Sequence, residues 1–169
     1  MPKTYEPIQT YTFSNSTTRL ITLSSIPATY TDLRIIVTGS YTFFDCQWVM
    51  QFNSDTATNY SFGVVNGNGS SAGGGKVANA GGLAFGWYPY PNAASSQGQN
   101  IIDVMNYSNT TTYKTALSRA GVTATATDAR VGLWRSTAAI NSITFDVGTY
   151  STPYWTSGST ITIYGIKAA

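Results

Sequence analysis

The sequence predicts an all-β fold, a two-sheet antiparallel β-sandwich of the jelly-roll type. The composition favours strands: Thr, Ser, Tyr, Val and Ile abound, whereas charged residues make up only 9% of the chain. The charged residues that stabilise surface helices are therefore scarce. Short runs with period-2 alternation recur about every 10–15 residues and give roughly nine or ten strands. This number of strands and the long irregular connections match a jelly roll.

Residues 1–9 are predicted to form an extended N-terminal arm in front of a single β-sandwich domain at residues 10–169. Pro2 and Pro7 remove backbone donors, and the segment shows no periodicity. The arm would order by lying along another protein, with Tyr5 and Ile8 as apolar anchors. The alternative is a first strand that runs along the edge of the domain's own sheet.

The strands that follow are predicted from alternation of apolar and polar residues. They cover residues 10–13, 19–23, 31–40, 47–53, 60–65, 101–107, 113–118, 128–135, 143–147 and 159–166. Between the fifth and sixth, residues 66–82 are rich in glycine and are predicted to form a flexible surface loop. A phosphate-binding loop is the more specific interpretation of these glycines. It is not favoured, because Lys76 is followed by Val77 and no helix pattern appears.

The segment 99–121 is predicted to be a β-hairpin that organises the domain. Two alternating runs flank the polar turn at residues 108–111. Large apolar residues stand on both faces of the first strand, so we expect it to be central and covered on both sides. In the second strand, the alternation of Tyr113, Thr115 and Leu117 places Leu117 in the core.

Two aromatic segments are the candidate interaction surface of the domain. Trp87, Tyr88 and Tyr90 lie in one, beside two prolines, and Tyr154 and Trp155 lie in the other. Exposed aromatic sets of this kind stack on sugar rings or fill a subunit interface. For the first segment, the alternative is a strand end that packs under the glycine-rich residues.

The titratable residues indicate no enzyme, no cofactor and no metal site. The chain has no histidine and a single cysteine, which excludes His-based catalysis and a zinc site of Cys and His ligands. The acids are spread singly, and a calcium site at Asp55 and Asn53 is the remaining metal alternative. Asp103 lies among apolar residues, where we expect it to form an ion pair with Arg119 or Arg135.

Charge and hydropathy exclude two classes of partner. The net charge of +2 is small and scattered, whereas nucleic-acid binding normally needs a basic stripe. No apolar run has the length of a bilayer span, and no signal-peptide pattern opens the chain. We therefore expect no nucleic acid, no membrane, and synthesis in a cytoplasm.

Four segments together carry a resemblance to a known class of protein. They are TDLRIIV at residues 31–37, NIIDVMNYSNTTTYKTALSR at 100–119, GLWRSTAAINSITF at 132–145 and GSTITIYGIKAA at 158–169. In their order and joint presence they resemble short virion proteins of tailed bacteriophages. That family is similar to jelly-roll capsid decoration (cement) proteins, although some related sequences lie within tail fibres.

The resemblance implies a non-enzymatic structural protein that binds the major capsid protein on the outer capsid surface and stabilises contacts between capsomers. It further implies a homotrimer on a virion assembled in the host cytoplasm, and no catalytic residue is carried over. The alternative function is a tail-fibre or tailspike head domain that binds host surface polysaccharide through the two aromatic segments.

Overall fold

The computed structural model describes residues 5–42, 47–85, 98–122, 126–148 and 153–167. Twelve strands form two antiparallel sheets in these ranges, which confirms the all-β sandwich. The strands are β1 (Tyr5–Thr12), β2 (Leu20–Leu23), β3 (Asp32–Gly39), β4 (Trp48–Phe52), β5 (Tyr60–Gly67), β6 (Ala72–Ala80), β7 (Leu83–Phe85), β8 (Gly98–Met105), β9 (Lys114–Val122), β10 (Ala126–Trp134), β11 (Ile143–Val147) and β12 (Thr160–Ile166). The two strands beyond the predicted set are β6 and β7.

The strand order is that of a jelly roll widened on one side. The large sheet has the order β1-β12-β3-β8-β9-β10-β5-β6, and the small sheet has the order β2-β11-β4-β7. Strands β1 to β4 alternate between the two sheets, and so do β7, β8, β11 and β12, as expected for a jelly roll. The hairpin β5–β6 and the pair β9–β10 are additional strands of the large sheet.

The core lies between the two sheets and is rich in aromatic rings. Trp48, Trp134 and Trp155 are fully buried, and the ring of Trp48 stacks on Phe85 with centroids 4.6 Å apart. The inward side chains of β3 and β12 are aliphatic and also buried. Each large apolar side chain that is fully buried contributes about 1.5–3 kcal/mol.

The predicted hairpin is present as β8 and β9 and lies at the centre of the large sheet. The expectation that both faces are covered is wrong. Ile102 and Val104 point into the core, whereas Met105 is 46% exposed on the opposite face. Leu117 is 37% exposed as well, because β9 turns Ala116 inward instead. The prediction that Leu117 belongs to the core is therefore wrong.

Residues 5–9 are the first part of β1 and not a free arm. They pair with β12 along the edge of the large sheet, which is the alternative that the sequence left open. Pro7 is tolerated because it lies on an edge strand next to a register shift between Pro7 and Gln9. Residues 1–4 lie outside the described ranges.

Much of the glycine-rich segment 66–82 forms a strand, so the prediction of a flexible loop is wrong. The chain turns at residues 68–71, where the backbone N–H of Asn68 donates to the carbonyl oxygen of Ser71. The Asn68 Oδ1 accepts the backbone N–H groups of Ser70 and Ser71. β6 then returns along β5 as the outermost strand of the large sheet, where backbone pairing needs no apolar side chains.

The described ranges contain no helix with the length and hydropathy of a membrane span.

Candidate functional site on the outer face of the large sheet

Trp155 is a core residue, which corrects its assignment to an interaction surface. Its side chain is 1% exposed. The ring stacks on Phe13 with centroids 5.1 Å apart and meets the ring of Tyr41 edge-on at 5.3 Å. A bridge between Tyr41 and Trp155 holds the segment against the end of β3, which turns the indole inward.

The other aromatic and apolar candidates do not form one surface in the described residues. Tyr5 is 41% exposed and stacks on Tyr164 with centroids 4.6 Å apart. Ile8 is half-buried against the core, and Tyr154 is half-buried in the loop before β12. The remaining three candidates, Trp87, Tyr88 and Tyr90, lie outside the described residues.

Asp103 forms the ion pair that its position in β8 suggested. Its carboxylate accepts Arg34 Nε at 2.6 Å and Nη2 at 3.1 Å, and Arg119 Nη1 lies 3.7 Å away. The expected partner Arg119 is confirmed, whereas Arg135 instead donates to Thr58 and Asn79. The hydrogen bond to Asp103 raises the pKa of Arg34, although burial acts in the opposite direction.

Arg34 was not predicted as a partner. The strand register explains why the two side chains meet, because Arg34 and Asp103 are directly paired residues of β3 and β8. Sequence periodicity does not show which strands are neighbours. The pair is structural: the two groups bind each other across β3 and β8, and Asp103 belongs to no group of three potential metal ligands in the described residues.

The oxygen atoms of the alternative calcium site at Asn53 and Asp55 accept hydrogen bonds from N–H donors. Asn53 Oδ1 accepts the backbone N–H groups of Asn141 and Ser142. The Asp55 carboxylate accepts Asn59, Trp134 and the backbone N–H of Ala57. The described residues also contain no group of three His, Cys, Asp or Glu that is arranged to hold a metal ion.

An exposed apolar surface lies on the outer face of the large sheet, away from the small sheet. We call it the outer apolar patch, and its members are Val65, Met105, Leu117, Val131 and Leu133. Val65 is 65% exposed and Val131 is 55% exposed. These values are high for apolar side chains in the middle of strands, since one face of an antiparallel sheet is usually polar.

The strand register makes the patch contiguous. Leu117 of β9 is directly paired with Val131 of β10. Thr115 of β9 lies between Met105 of β8 and Leu133 of β10. Directly paired side chains on one face lie about 5 Å apart, and diagonal neighbours lie about 7–8 Å apart. Met105 and Leu133 are diagonal neighbours of Leu117, and Val65 is a diagonal neighbour of Val131.

A groove crosses the patch where a strand lacks a side chain. Gly63 of β5 is paired with Val131 on one side and with Lys76 on the other. The groove has a volume of about 460 Å³. It is lined by Ser61, Phe62, Gly63, Lys76, Val77, Ala78, Val131, Gly132 and Leu133. We call it the Gly63 groove.

Basic side chains border the patch. The side chain of Arg119 is 56% exposed and lies beside Leu117 on the same face of β9. Lys76 is exposed at the other border of the Gly63 groove. The nearest carboxylate on this face, Asp103, is held by Arg34. Arg119 shares the carboxylate of Asp103 with Arg34, so this cluster keeps one net positive charge, and Lys76 adds a second one at the opposite border.

The outer face of the small sheet is different. Leu20 is 50% exposed there, but its neighbours on β2 and β11 are the hydrogen-bonded hydroxyls of Thr22 and Thr144. Arg19 and Asp146 form an ion pair of 2.8 Å at the same end. A broad apolar surface is thus a property of the large sheet.

Comparisons with known proteins do not assign a family. No protein-family model matches the chain, and no curated protein matches it. Among solved structures, an alginate lyase of the marine animal Aplysia kurodai is 10% identical with a TM-score of 0.38 over 93% of this chain and 79% of that chain. A galectin of Caenorhabditis elegans is 7% identical with a TM-score of 0.30 over 90% of this chain and 94% of that one. At these scores the similarities indicate neither a family nor a function.

Proposed function

We propose that this chain is a non-enzymatic structural protein of a phage virion, a capsid decoration protein that binds the outer capsid surface and stabilises capsomer contacts. The observation that carries the proposal is the outer apolar patch. Monomeric proteins rarely expose a broad contiguous apolar surface, and such a surface with polar borders is typical of protein–protein interfaces.

The arrangement of the acids supports a role without catalysis. Asp103, Asp146 and Asp128 are each paired with an arginine, and Asp55 is saturated by N–H donors. A general acid or base needs a group that is free to exchange a proton with a substrate. These carboxylates instead fix the positions of strands and turns.

The buried aromatic rings support the same role. Stacked and edge-on ring pairs fill the space between the two sheets, from Phe13 and Trp155 at one end to Tyr60 and Trp134 at the other. Aromatic pairs of this kind add about 0.5–1.5 kcal/mol each beyond burial. A rigid core suits a protein that reinforces a shell.

The alternative, a polysaccharide-binding head of a tail fibre, has less support among the described residues. It depends on exposed aromatic rings, yet Trp155 is buried and Tyr154 is half-buried. The outer apolar patch contains aliphatic side chains, which lack the flat ring faces that stack on sugars.

Quantitative mass spectrometry of purified virions tests the proposal. A decoration protein is expected at an abundance of the same order as the major capsid protein, whereas a tail-fibre component is far rarer. A second test adds the purified protein to capsids that lack it and measures their resistance to heat. Absence from the virion, or an abundance typical of a single-vertex component, would contradict the proposal.

The homotrimer is part of this proposal, because a capsid shell offers threefold and quasi-threefold positions. Light scattering of the purified protein, alone and after release from virions, measures its mass. A monomeric mass in both states would contradict the trimer. Capsid binding would then be tested by the abundance of the protein on purified virions alone.

A further inference from the structure

We propose that the Gly63 groove is a socket for one apolar side chain that projects from an acidic surface of the capsid protein. This inference rests on the proposed function and names the part of the surface that makes the contact. Its three supports are the shape of the groove, the charge at its borders and a glycine that the fold itself does not require.

The shape of the groove is set by unequal side chains on adjacent strands. Val131 and Leu133 of β10 form one wall, and Lys76 and Ala78 of β6 form the other. Gly63 lies between them and leaves the floor without a side chain. An apolar group that enters from outside would contact apolar atoms on both sides and lose its hydration, which is how anchor residues at interfaces contribute most of their affinity.

The glycine at the floor is not explained by packing inside the protein. A Cβ atom at Gly63 would meet only the carbonyl oxygen of Gly75, at an ordinary distance of 3.9 Å. By contrast, a Cβ atom at Gly132 on the neighbouring strand would lie 2.7 Å from the Leu83 side chain. Glycine within a strand costs about 0.5–1 kcal/mol relative to alanine. A side chain at Gly132 would displace Leu83, whereas Gly63 has room for one.

The charge at the borders of the groove identifies the chemistry of the partner. Lys76 stands at one border, and Arg119 lies on the same face beyond Leu117. The nearby carboxylate of Asp103 is paired with both Arg34 and Arg119, so these three groups carry one net positive charge beside the patch. The partner must bring its own carboxylates around the projecting apolar side chain.

The test measures binding of purified variants to capsids that lack this protein. In Gly63→Val the groove is filled by a β-branched side chain that suits a strand, so the melting temperature should stay the same or rise. Capsid binding should fall about tenfold or more, as for the loss of an interface anchor. Gly121→Val is the matched control, because a Cβ atom at Gly121 has no atom within 4 Å and this position lies away from the groove.

Charge reversal tests the second part of the inference. Lys76→Glu and Arg119→Glu should each weaken binding at low salt, whereas Lys167→Glu, near Tyr30, should leave it unchanged. Raising the salt concentration should weaken wild-type binding and have less effect on the two border variants.

The outcomes separate the inference from the proposed function. If the wild type binds capsids and Gly63→Val binds equally well, the socket is wrong and decoration stands. If the wild type self-associates in solution and Gly63→Val abolishes this, the occupant is a second copy and the inference is overturned. If the wild type neither binds capsids nor occurs on virions, the inference and the proposed function are both wrong.

Discussion

The Asp55 carboxylate accepts a hydrogen bond of 2.7 Å from the indole Nε1 of Trp134. This bond joins the turn after β4 to the buried end of β10, and thus the small sheet to the large one. The same carboxylate accepts Asn59 Nδ2 and the backbone N–H of Ala57, both at 2.9 Å. Asp55 therefore organises its own turn and one of the buried indoles.

Replacing Asp55 with alanine should destabilise the fold by about 2–3 kcal/mol. The substitution leaves a buried indole N–H without an acceptor, and hydrogen bonds to charged groups are the stronger class. Urea unfolding followed by tryptophan fluorescence measures the loss. Asp55→Asn is the control, because its amide oxygen preserves one acceptor and the loss should be smaller. A change below about 0.5 kcal/mol in Asp55→Ala would contradict the role assigned to this bond.

Stability should also fall in acid because of Asp55. Burial raises the pKa of Asp55, but hydrogen bonds from Asn59, Trp134 and Ala57 outweigh it and hold the pKa below the ordinary value. The unfolded chain therefore binds the proton first, so this contribution is present above about pH 4 and is lost as pH falls through the folded pKa. Melting temperatures of wild type and Asp55→Asn between pH 7 and pH 2 measure it. Equal acid slopes would show that another group is responsible.

Truncating Leu117 should have little effect on stability, whereas truncating an inward-facing residue of the adjacent strand β8 should be severe. Leu117 is 37% exposed, so Leu117→Ala should cost less than about 1 kcal/mol. Ile102 is fully buried on β8, and Ile102→Ala should cost about 2–5 kcal/mol. Thermal unfolding of both variants measures the contrast. A large loss in Leu117→Ala alone would mean that the outer face is covered within the protein itself.

Local alternation was sufficient to predict ten of the twelve strands in the described residues, but not which side of them faces inward. In β9 the inward positions are occupied by Lys114, Ala116 and Ser118, and the outward ones include Leu117. An apolar residue that is exposed for binding has the same sequence pattern as one that is buried for stability. Leu117, a member of the outer apolar patch, was therefore predicted as core.

The edges of the large sheet were the other region that the sequence predicted poorly. β1 contains a proline and β6 contains three consecutive glycines, and both features are more typical of arms and loops. They are strands because each pairs its backbone groups with one neighbour: β1 with β12, which is far away in the sequence, and β6 with β5 across a short turn. Trp155 was misplaced for the same reason, because its contact with Phe13 spans most of the chain.

The ion pair of Arg34 and Asp103 should show measurable coupling. Two nitrogen atoms of Arg34 contact the carboxylate, and both side chains are largely shielded from water. A double-mutant cycle of Arg34→Ala and Asp103→Ala should give a coupling free energy of about 1–2 kcal/mol. The same cycle with the more exposed Arg119 should give less than about 0.5 kcal/mol. Equal coupling to both arginines would contradict the geometry.

The last prediction concerns Lys114, whose side chain is 1% exposed at the start of β9. Its Nζ donates to the carbonyl oxygens of Thr112 at 2.7 Å and Thr137 at 3.1 Å, and so joins the hairpin turn to the loop after β10. Lys114→Met keeps the length of the side chain but leaves both carbonyl groups without this donor. The variant should lose about 1–3 kcal/mol at pH 7.

The pH dependence distinguishes the ammonium group from a simple packing role. Burial lowers the pKa of Lys114, so between its folded and unfolded pKa values the unfolded chain binds more protons. This contribution to stability therefore rises with pH in that window, and the neutral amine still has two N–H groups for the two carbonyl oxygens. Tyr60 and Tyr107 act in the opposite sense, because burial raises the pKa of each phenol. Comparing wild type with Lys114→Met by urea unfolding from pH 7 to pH 10 cancels the tyrosines, and the stability difference between the two proteins should grow with pH. A constant difference would show that Lys114 titrates alike in the folded and unfolded chains.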